Sequence, residues 1–389
     1  MSAPVLFEER AAGAHRIGIA TLNAPATLNG LSLAMVDALA ERLDAWEADP
    51  GIAVVVLRGA GEKAFCAGGD LHALYAGMRE AGVGGGARVD PLAIPAARDF
   101  FEREYRLDYR IHAFSKPILC WGQGIVMGGG IGLMAGASHR VVTETSRLAM
   151  PEIGIGLFPD VGGTWMLARA PGATGRFLAL TGASIDASDA IYAGFADHAV
   201  AGNRYEELVA AMTATTWCDA AGENAARLDA LLRRFALEGL EAGPLQRLRG
   251  HIDACCAGHS LEAAVEAIAQ TAVEDPWWQK AQAALARGCP SSIRLSWELQ
   301  HRTSRLSLAE VFRLELAAAL ACAAHGDFAE GIRALLVDKD RNPSWIPATL
   351  NETGGAFIET FFTAPWATGA HPLADLGCDD PQRKPLEMS

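Results

Sequence analysis

The sequence predicts an α/β fold with a parallel sheet in its first half and a helical extension after it. Apolar strand-like segments alternate with amphipathic helical segments over about the first 200 residues, and this alternation is typical of βαβ units. From about residue 176 onward almost every segment has a helical pattern. The chain has 389 residues, half of them hydrophobic, so it can bury a large core.

The first three elements are predicted to be a strand, a helix and a strand. Residues 17–22 have the pattern of a strand. Ser32 is expected to cap a helix whose apolar face runs from Met35 to Trp46. Asp49-Pro50-Gly51 ends that helix, and the apolar residues 52–57 then predict a strand that is buried on both faces.

The same alternation continues toward residue 200. Residues 117–120 and 139–143 predict two more strands, and residues 199–200 a short last one. Residues 96–114 have the spacing of an amphipathic helix. Residues 79–95, which are rich in glycine and proline, predict a mobile loop.

The change from alternating to helical patterns divides the chain into two parts. We expect a catalytic α/β core over residues 1–203 and a mainly helical C-terminal region over residues 204–389. No tandem repeat is visible in either part.

Composition excludes several classes of protein. The net charge of −13 argues against general nucleic-acid binding, which needs a basic surface. Residues 118–138 carry no charge, but seven of them are glycine, so a buried strand and helix are expected there instead of a membrane span. The eight cysteines form no CxxC pair and no zinc-like spacing. They are typical of reduced thiols, and we expect a cytoplasmic protein without a metal site.

Two glycine-rich turns follow predicted strands. The first is Phe65-Cys66-Ala67-Gly68-Gly69-Asp70, and the second is Gly128-Gly129-Gly130. Glycine lets a backbone N–H approach a ligand oxygen, and the bare N–H groups of a helix start can stabilise an oxyanion. The glycines could equally serve only a tight turn or close helix packing, which leaves both interpretations open.

Two acids stand eight residues apart in an apolar, glycine-rich segment. They are Glu152 and Asp160. Apolar surroundings raise the pKa of a carboxylic acid, which suits proton transfer near neutral pH. A structural alternative exists for each acid, because Glu152 could lie at a favoured helix start and Asp160 could cap the next helix.

Taken together, these segments resemble the crotonase, or enoyl-CoA hydratase/isomerase, superfamily. The motifs that carry the resemblance over about residues 5–200 are Ala64 to Asp70, Gly128-Gly129-Gly130, Met150-Pro151-Glu152 and Val161-Gly162-Gly163-Thr164. The resemblance implies a spiral of ββα units, here followed by the helical extension. It also implies an acyl-CoA substrate and no metal or redox cofactor, since CoA is part of the substrate.

Further motifs narrow the resemblance to the 3-hydroxyisobutyryl-CoA hydrolase subfamily. They are Phe158 to Gly163, which contains the second acid, and Asp327 to Ala334 with Asn342-Pro343-Ser344-Trp345 in the C-terminal half. The resemblance therefore extends to about residue 350. It implies hydrolysis of a short, branched β-hydroxyacyl-CoA, with 3-hydroxyisobutyryl-CoA as the best candidate, and so a role in valine breakdown.

The resemblance also implies a role for each motif residue. The N–H groups of Gly69 and Gly129 would hold the thioester carbonyl oxygen. Glu152 would activate water or attack the thioester directly, and Asp160 would orient the substrate hydroxyl or share the proton transfer. The neighbours that would contact the substrate are Ala67, Gly68, Asp70 and Gly128.

An absence separates hydrolysis from hydration. Typical hydratases of the superfamily have a second glutamate just after the triple-glycine turn, and here that position is Gly132. The runner-up activity is nevertheless an enoyl-CoA hydratase or isomerase, and a third alternative is a non-catalytic acyl-CoA-binding protein. The superfamily often forms trimers and hexamers, so a homo-oligomer is possible in principle.

The residues that would hold the CoA phosphates are left open. The family often has a basic residue at the exit of the first strand, whereas this chain has Asn23-Ala24-Pro25 there. Four basic residues are candidates to replace it, although each could be an ordinary surface charge: Arg58, Lys63, Lys116 and Lys339.

Overall fold

Pairs of consecutive strands, most of them followed by helices, build the first 200 residues. The computed structural model describes residues 3–84 and 89–378. The strands of these residues are β1 Val5–Ala12, β2 His15–Leu22, β3 Ile52–Gly59, β4 Ala64–Cys66, β5 Ile118–Gly122, β6 Ile125–Met127, β7 His139–Val142, β8 Arg147–Ala149 and β9 His198–Ala199.

The helices lie between and after these strands. In the first half they are α1 Leu33–Ala48, α2 Leu71–Glu80, α3 Pro95–His112, α4 Gly129–Ala135, α5 Gly163–Leu167, α6 Thr174–Thr181 and α7 Ala187–Tyr192. In the second half they are α8 Tyr205–Ala214, α9 Ala221–Arg234, α10 Pro244–Arg247, α11 Arg249–Cys256, α12 Leu261–Gln270, α13 Pro276–Arg287, α14 Pro290–Arg302, α15 Leu308–His325, α16 Asp327–Ile332 and α17 Ala356–Glu359.

Two sheets share the strands. The larger sheet has the order β1-β2-β3-β5-β7-β9, and the smaller one has the order β4-β6-β8. Only β1 and β2 pair in antiparallel fashion among the described strands; the other pairs are parallel. Each consecutive pair from β3 to β8 gives one strand to each sheet, and helices follow. This is a spiral of ββα units, which confirms the predicted fold class.

The helix cap and the doubly buried strand that the sequence predicts are both present. The Ser32 hydroxyl accepts a hydrogen bond from the N–H of Met35 and caps α1. Strand β3 is buried on both faces, since Val55 and Leu57 belong to one hydrophobic cluster and Val54 to another. That double burial explains its continuous apolar run.

Several short elements have no clear sequence signal. Strands β4, β6 and β8 have three residues each, which is too short for a period to show. Strand β1 alternates poorly because it is an edge strand with exposed charges. Of the predicted loop 79–95, residues 85–88 lie outside the described residues, and Pro91–Ala93 form a 3-10 turn.

The helical extension packs partly on the larger sheet and partly on helix α3. Helices α8 and α9 join the cluster that contains Val54 and Ile17. Helix α15 lies against α3, with Phe312 and Tyr105 rings 5.7 Å apart. The boundary at residue 203 stays a prediction. No helix among the described residues is long and apolar enough to cross a membrane.

Candidate active site

The three motifs of the site follow the three strands of the smaller sheet. Strand β4 leads into the turn at Gly68-Gly69, β6 into Gly128-Gly129, and β8 into Glu152. Because β4, β6 and β8 are parallel neighbours, their carboxyl ends meet at one edge of the sheet. Gly69, Gly129 and Glu152, which are 23 to 83 positions apart in the chain, are therefore brought together by strand topology.

The two glycine turns bring two backbone N–H groups close to each other. A Cβ at Gly129 would lie 3.6 Å from the Gly69 nitrogen. Gly129 is the first residue of α4, where an N–H has no partner within the helix. At the first turn, the Leu31 N–H donates to the Gly68 carbonyl, and the Leu31 carbonyl accepts the Asp70 N–H. The N–H of Gly69 takes no part in this pairing. An oxyanion hole requires two such N–H groups close together, and that role of Gly69 and Gly129 stays a prediction.

Glu152 lies directly beside this pair. It begins the 3-10 turn Glu152–Gly154, and a Cβ at Gly128 would be 3.1 Å from Glu152 Oε1. Its side chain is 4 % exposed, and its Oε2 has no hydrogen-bond partner among the described residues. Burial raises the pKa of Glu152 well above its usual value, and the charge of Asp160 raises it further. Such an acid can take up a proton near neutral pH.

Asp160 is held by a tyrosine of the facing helix. The Tyr105 hydroxyl of α3 donates a 2.7 Å hydrogen bond to Asp160 Oδ2. Burial raises the pKa of Asp160 to about 7, while the hydrogen bond from Tyr105 lowers it. Its side chain does not cap α5, so the capping alternative for Asp160 is wrong. The caps of α5 come from Glu315 instead, which accepts hydrogen bonds from Gly162 and Thr164.

Two further buried acids of α3 face the helix of the second glycine turn. Glu104 and Asp108 are 2 % and 0 % exposed. A Cβ at Gly129 would overlap Glu104 Oε1, and a Cβ at Gly132 would lie 2.7 Å from Asp108 Oδ2. Burial raises the pKa of both acids well above their usual values, and neighbouring carboxylates raise it further. The missing side chains of α4 thus make room for two carboxyl groups.

The space at Gly132 is occupied. Besides Asp108 Oδ2, the Cβ of Val161 would lie 2.7 Å from a Cβ at this position. A glutamate at position 132, as in typical hydratases, would therefore require neighbouring groups to move. This packing agrees with the sequence-based preference for hydrolysis over hydration.

The four residues predicted to contact the substrate lie in or next to the two glycine turns. Ala67 and Gly68 lie in the first turn, with the Ala67 N–H bonded to the Leu28 carbonyl, and Gly128 lies where the second turn begins. The Asp70 carboxylate accepts the Ala73 N–H and caps α2. That use of Asp70 gives it a structural function, and substrate contact by these four residues stays a prediction.

Two of the four basic candidates are engaged elsewhere. The Lys116 ammonium donates to the carbonyls of Trp46 and Asp49, and the Arg58 guanidinium lies 3.9 Å from the centre of the Tyr205 ring. Lys63 and Lys339 are exposed. These two remain candidates for contact with the CoA phosphates.

Sequence reasoning missed the acids that other helices contribute. Glu104 and Asp108 lie on the apolar face of α3, together with Phe101 and Tyr105, and Glu315 lies on that of α15. Charged residues at such positions are rarely buried without a partner or a function. That departure from the apolar period was the available signal.

We expect Tyr105→Phe to shift the pH dependence of activity upward. The hydroxyl stabilises the charged form of Asp160, so its loss raises the pKa of Asp160 above its value of about 7. The acid limb of the kcat/KM profile should then move up by roughly one pH unit, since a hydrogen bond to a charged group contributes about 1.5 kcal/mol or more. Tyr192→Phe, which loses a hydroxyl bonded to Arg249, should leave the limb in place. A limb that does not move in Tyr105→Phe would contradict the assigned contact.

Comparisons with known proteins show which family this chain belongs to. The sequence profile of the enoyl-CoA hydratase/isomerase family matches residues 17–362. A mitochondrial 3-hydroxyisobutyryl-CoA hydrolase of Gallus gallus is 36% identical over 346 residues, which are 89% of this chain and 86% of the relative. 3-Hydroxyisobutyryl-CoA hydrolase 1 of Arabidopsis thaliana is 34% identical over 92% of this chain and 91% of its own length.

Two solved structures share the fold over more than nine tenths of this chain, and they are named as a dehydratase and a hydratase. A carnitinyl-CoA dehydratase from Mycobacterium thermoresistibile has a TM-score of 0.80 and 37% identity, covering 93% of this chain and 97% of its own. An enoyl-CoA hydratase from Rhodobacter sphaeroides 2.4.1 has a TM-score of 0.78 and 36% identity, covering 92% and 97%. This chain therefore belongs to the enoyl-CoA hydratase/isomerase family.

Proposed function

We propose that this enzyme hydrolyses the CoA thioester of a short, branched β-hydroxy acid. The best candidate is 3-hydroxyisobutyryl-CoA, which would give 3-hydroxyisobutyrate and free CoA. The observation that carries the proposal is the position of Glu152 next to Gly128, with no room at Gly132 for the second glutamate of a typical hydratase. The hydrolases of Gallus gallus and Arabidopsis thaliana, which match over most of their length, support the same reaction.

The reaction needs one base and one site for negative charge. Water attacks the thioester carbon and gives a proton to Glu152, while the carbonyl electrons move to the oxygen held by the N–H groups of Gly69 and Gly129. When the tetrahedral intermediate collapses, the C–S bond breaks, the carboxylic acid forms, and protonated Glu152 gives its proton to the CoA thiolate, which restores the Glu152 carboxylate. The fixed N–H donors supply the electrophilic help, so this route requires no cofactor.

A second route uses the same residues. The Glu152 carboxylate attacks the thioester carbon and forms an acyl-enzyme anhydride, which water then hydrolyses. Both routes need Glu152 in its charged form. The raised pKa of Glu152 and the pKa of about 7 at Asp160 make activity rise as the pH increases through the neutral range.

The acids around Glu152 fit the recognition of a hydroxyl group. Asp160 accepts a hydrogen bond from Tyr105 and keeps further acceptor sites. Glu104 has a buried Oε1 beside Gly129 without a hydrogen-bond partner among the described residues. A substrate β-hydroxyl would satisfy such groups, whereas a simple enoyl chain would leave them unpaired, which is costly.

Hydration of an enoyl-CoA is the second candidate. It is favoured by the structural likeness to a hydratase and a dehydratase, each 36–37% identical over more than nine tenths of this chain. It predicts addition of water to a double bond without release of a thiol. The occupied space at Gly132 is the observation against it.

A thiol-trapping assay separates the two activities. We expect rapid release of free CoA from 3-hydroxyisobutyryl-CoA, and slower release from thioesters that lack the hydroxyl. Crotonyl-CoA should be hydrated slowly or not at all. Fast hydration of crotonyl-CoA, with no thiol released from any hydroxyacyl-CoA of a panel, would refute the proposal.

Three further aspects belong to the same proposal. The activity would serve valine breakdown. A cytoplasmic location is part of the proposal; the eight cysteines without a disulfide fit any reducing compartment, and the animal relatives are named mitochondrial. Cell fractionation would decide between the two locations, and the mass of the purified protein in solution would show whether it is a homo-oligomer.

A further inference from the structure

A buried glutamate of the helical extension accepts hydrogen bonds from the loop that directly follows Asp160. Glu315 of α15 is 0 % exposed. Its Oε2 accepts the N–H of Gly162 at 2.7 Å, and its Oε1 accepts the N–H of Thr164 at 3.2 Å together with the Thr164 hydroxyl. These three hydrogen bonds, which we call the Glu315 clamp, link residues more than 150 positions apart in the chain.

The backbone of this loop has positive φ angles at two consecutive residues. Val161 has φ +54° and Gly162 has φ +78°. A β-branched residue rarely adopts a positive φ, and the conformation persists only where the surroundings impose it. Helix α5, which begins two residues after Val161, has no cap from its own neighbouring side chains. The carboxylate of Glu315 supplies that cap, so it holds the turn that immediately follows Asp160.

We propose that Glu315 is a positioning residue for Asp160, and that the helical extension thereby completes the active site. The Asp160 carboxylate is fixed from two sides: the Tyr105 hydroxyl holds Oδ2, and the Glu315 clamp holds the backbone that follows. Without the clamp, the strained turn would relax and move Asp160 away from Tyr105. The inference rests on the proposed role of Asp160 in hydrolysis.

Loss of this contact should also change the pKa of Asp160. The titratable groups that face Asp160 come from three directions: Glu104, Tyr105 and Asp108 on α3, Glu152 on the preceding 3-10 turn, and Glu315 on α15. Burial raises the pKa of Glu315 to about 8, above the value of about 7 at Asp160, so Glu315 is largely uncharged where Asp160 titrates. Glu315 therefore acts on Asp160 through its position: an Asp160 that moves away from the Tyr105 hydroxyl loses a hydrogen bond that lowers its pKa, which is the same direction of change as in Tyr105→Phe.

The test is Glu315→Gln, assayed by CoA release. The amide oxygen can still accept from Thr164, but the amide nitrogen would meet the Gly162 N–H, so two donors would face each other. We expect kcat to fall by roughly 10²-fold, the scale of a misplacement of about 1 Å. KM should remain nearly unchanged, because the Gly69 and Gly129 donors are untouched. The acid limb of the kcat profile should move to higher pH, as in Tyr105→Phe, because Asp160 loses the Tyr105 hydrogen bond that lowers its pKa.

Thr164→Val is a milder variant of the same contact. It removes only the hydroxyl donor and retains the backbone N–H of Thr164. Its kcat should fall less than that of Glu315→Gln, with KM again nearly unchanged. This variant keeps the proposal testable if Glu315→Gln does not fold.

Asp189→Asn is the matched control. Asp189 is also 0 % exposed, and its carboxylate accepts the N–H groups of Leu245 and Gln246 at the start of α10. The variant therefore loses a buried cap of the same kind. It should be less stable to thermal unfolding but retain kcat and the pH profile of the wild type.

Two results would overturn the inference. One is a folded Glu315→Gln with wild-type kcat and an unmoved acid limb, and the other is an equal loss of kcat in Asp189→Asn. Hydrogen exchange of residues 160–167 tests the clamp without substrate, and we expect faster exchange in Glu315→Gln than in Asp189→Asn. If wild-type enzyme releases no CoA but this exchange result holds, the proposed function fails while the clamp stands.

Discussion

Glu152→Gln is expected to lower kcat by at least ~10²-fold, the scale of a lost general base, and to leave CoA affinity nearly unchanged. The amide has the shape of the acid but cannot take up the proton of water or attack the thioester. Glu152 is buried beside the glycine turn and has a raised pKa, which are the properties of a base that takes up a proton near neutral pH. CoA release at saturating substrate gives kcat, and titration with CoA gives the affinity.

Glu62→Gln is the control for this variant. Glu62 is exposed on the loop before β4, and its substitution should change neither quantity. Retained turnover in Glu152→Gln would count against the assigned role and would favour a non-catalytic acyl-CoA-binding protein. A loss of CoA affinity as large as the loss of turnover would indicate that the substitution disturbs the binding site as a whole.

Gly129→Ala should have an effect of similar size by a different cause. A Cβ at this position would overlap Glu104 Oε1, so either the carboxyl group or the first turn of α4 must move. The Gly129 N–H would then leave the position where it faces the developing oxyanion. Removal of one such donor costs about 10²–10³ in kcat, and we expect a loss of that order in the CoA-release assay.

Gly222→Ala is the matched control for an added methyl group at a helical glycine. Gly222 lies on α9, and a Cβ there would have nothing within 4 Å. It should leave turnover unchanged and stabilise the fold by up to about 1 kcal/mol, because alanine favours the helix. Wild-type kcat in Gly129→Ala would mean that this N–H does not act in the transition state.

Local patterns were sufficient to predict most of the core. The Ser32 cap, the apolar face of α1 and the continuous apolar strand β3 each depend on residues within a few positions, and each is present. The short strands of the smaller sheet could not be predicted, because three residues are held in place by their neighbours and not by their own periodicity.

The candidate site shows the same division. The two glycine turns, Glu152 and Asp160 could be found from composition and spacing, since glycine and acids in apolar segments are visible in the sequence itself. Tyr105 could not be found in this way, and Glu315 is visible only as an acid on an apolar helix face, because the functions of both depend on contacts 55 and 153 residues away. Only the packing of α3 and α15 against the loop after Asp160 creates those contacts.

The sequence by itself determined the longer strands and helices and identified the two glycine turns and the two acids, because periodicity, caps and turn residues are local properties. The tertiary structure decided which acids stand together and in what environment. The parallel β4-β6-β8 sheet places three distant turns at one edge, and α3 and α15 surround Asp160 with a hydroxyl and further buried carboxyl groups. Burial and charge at close range set the pKa of each acid, and neither exists before the chain is folded.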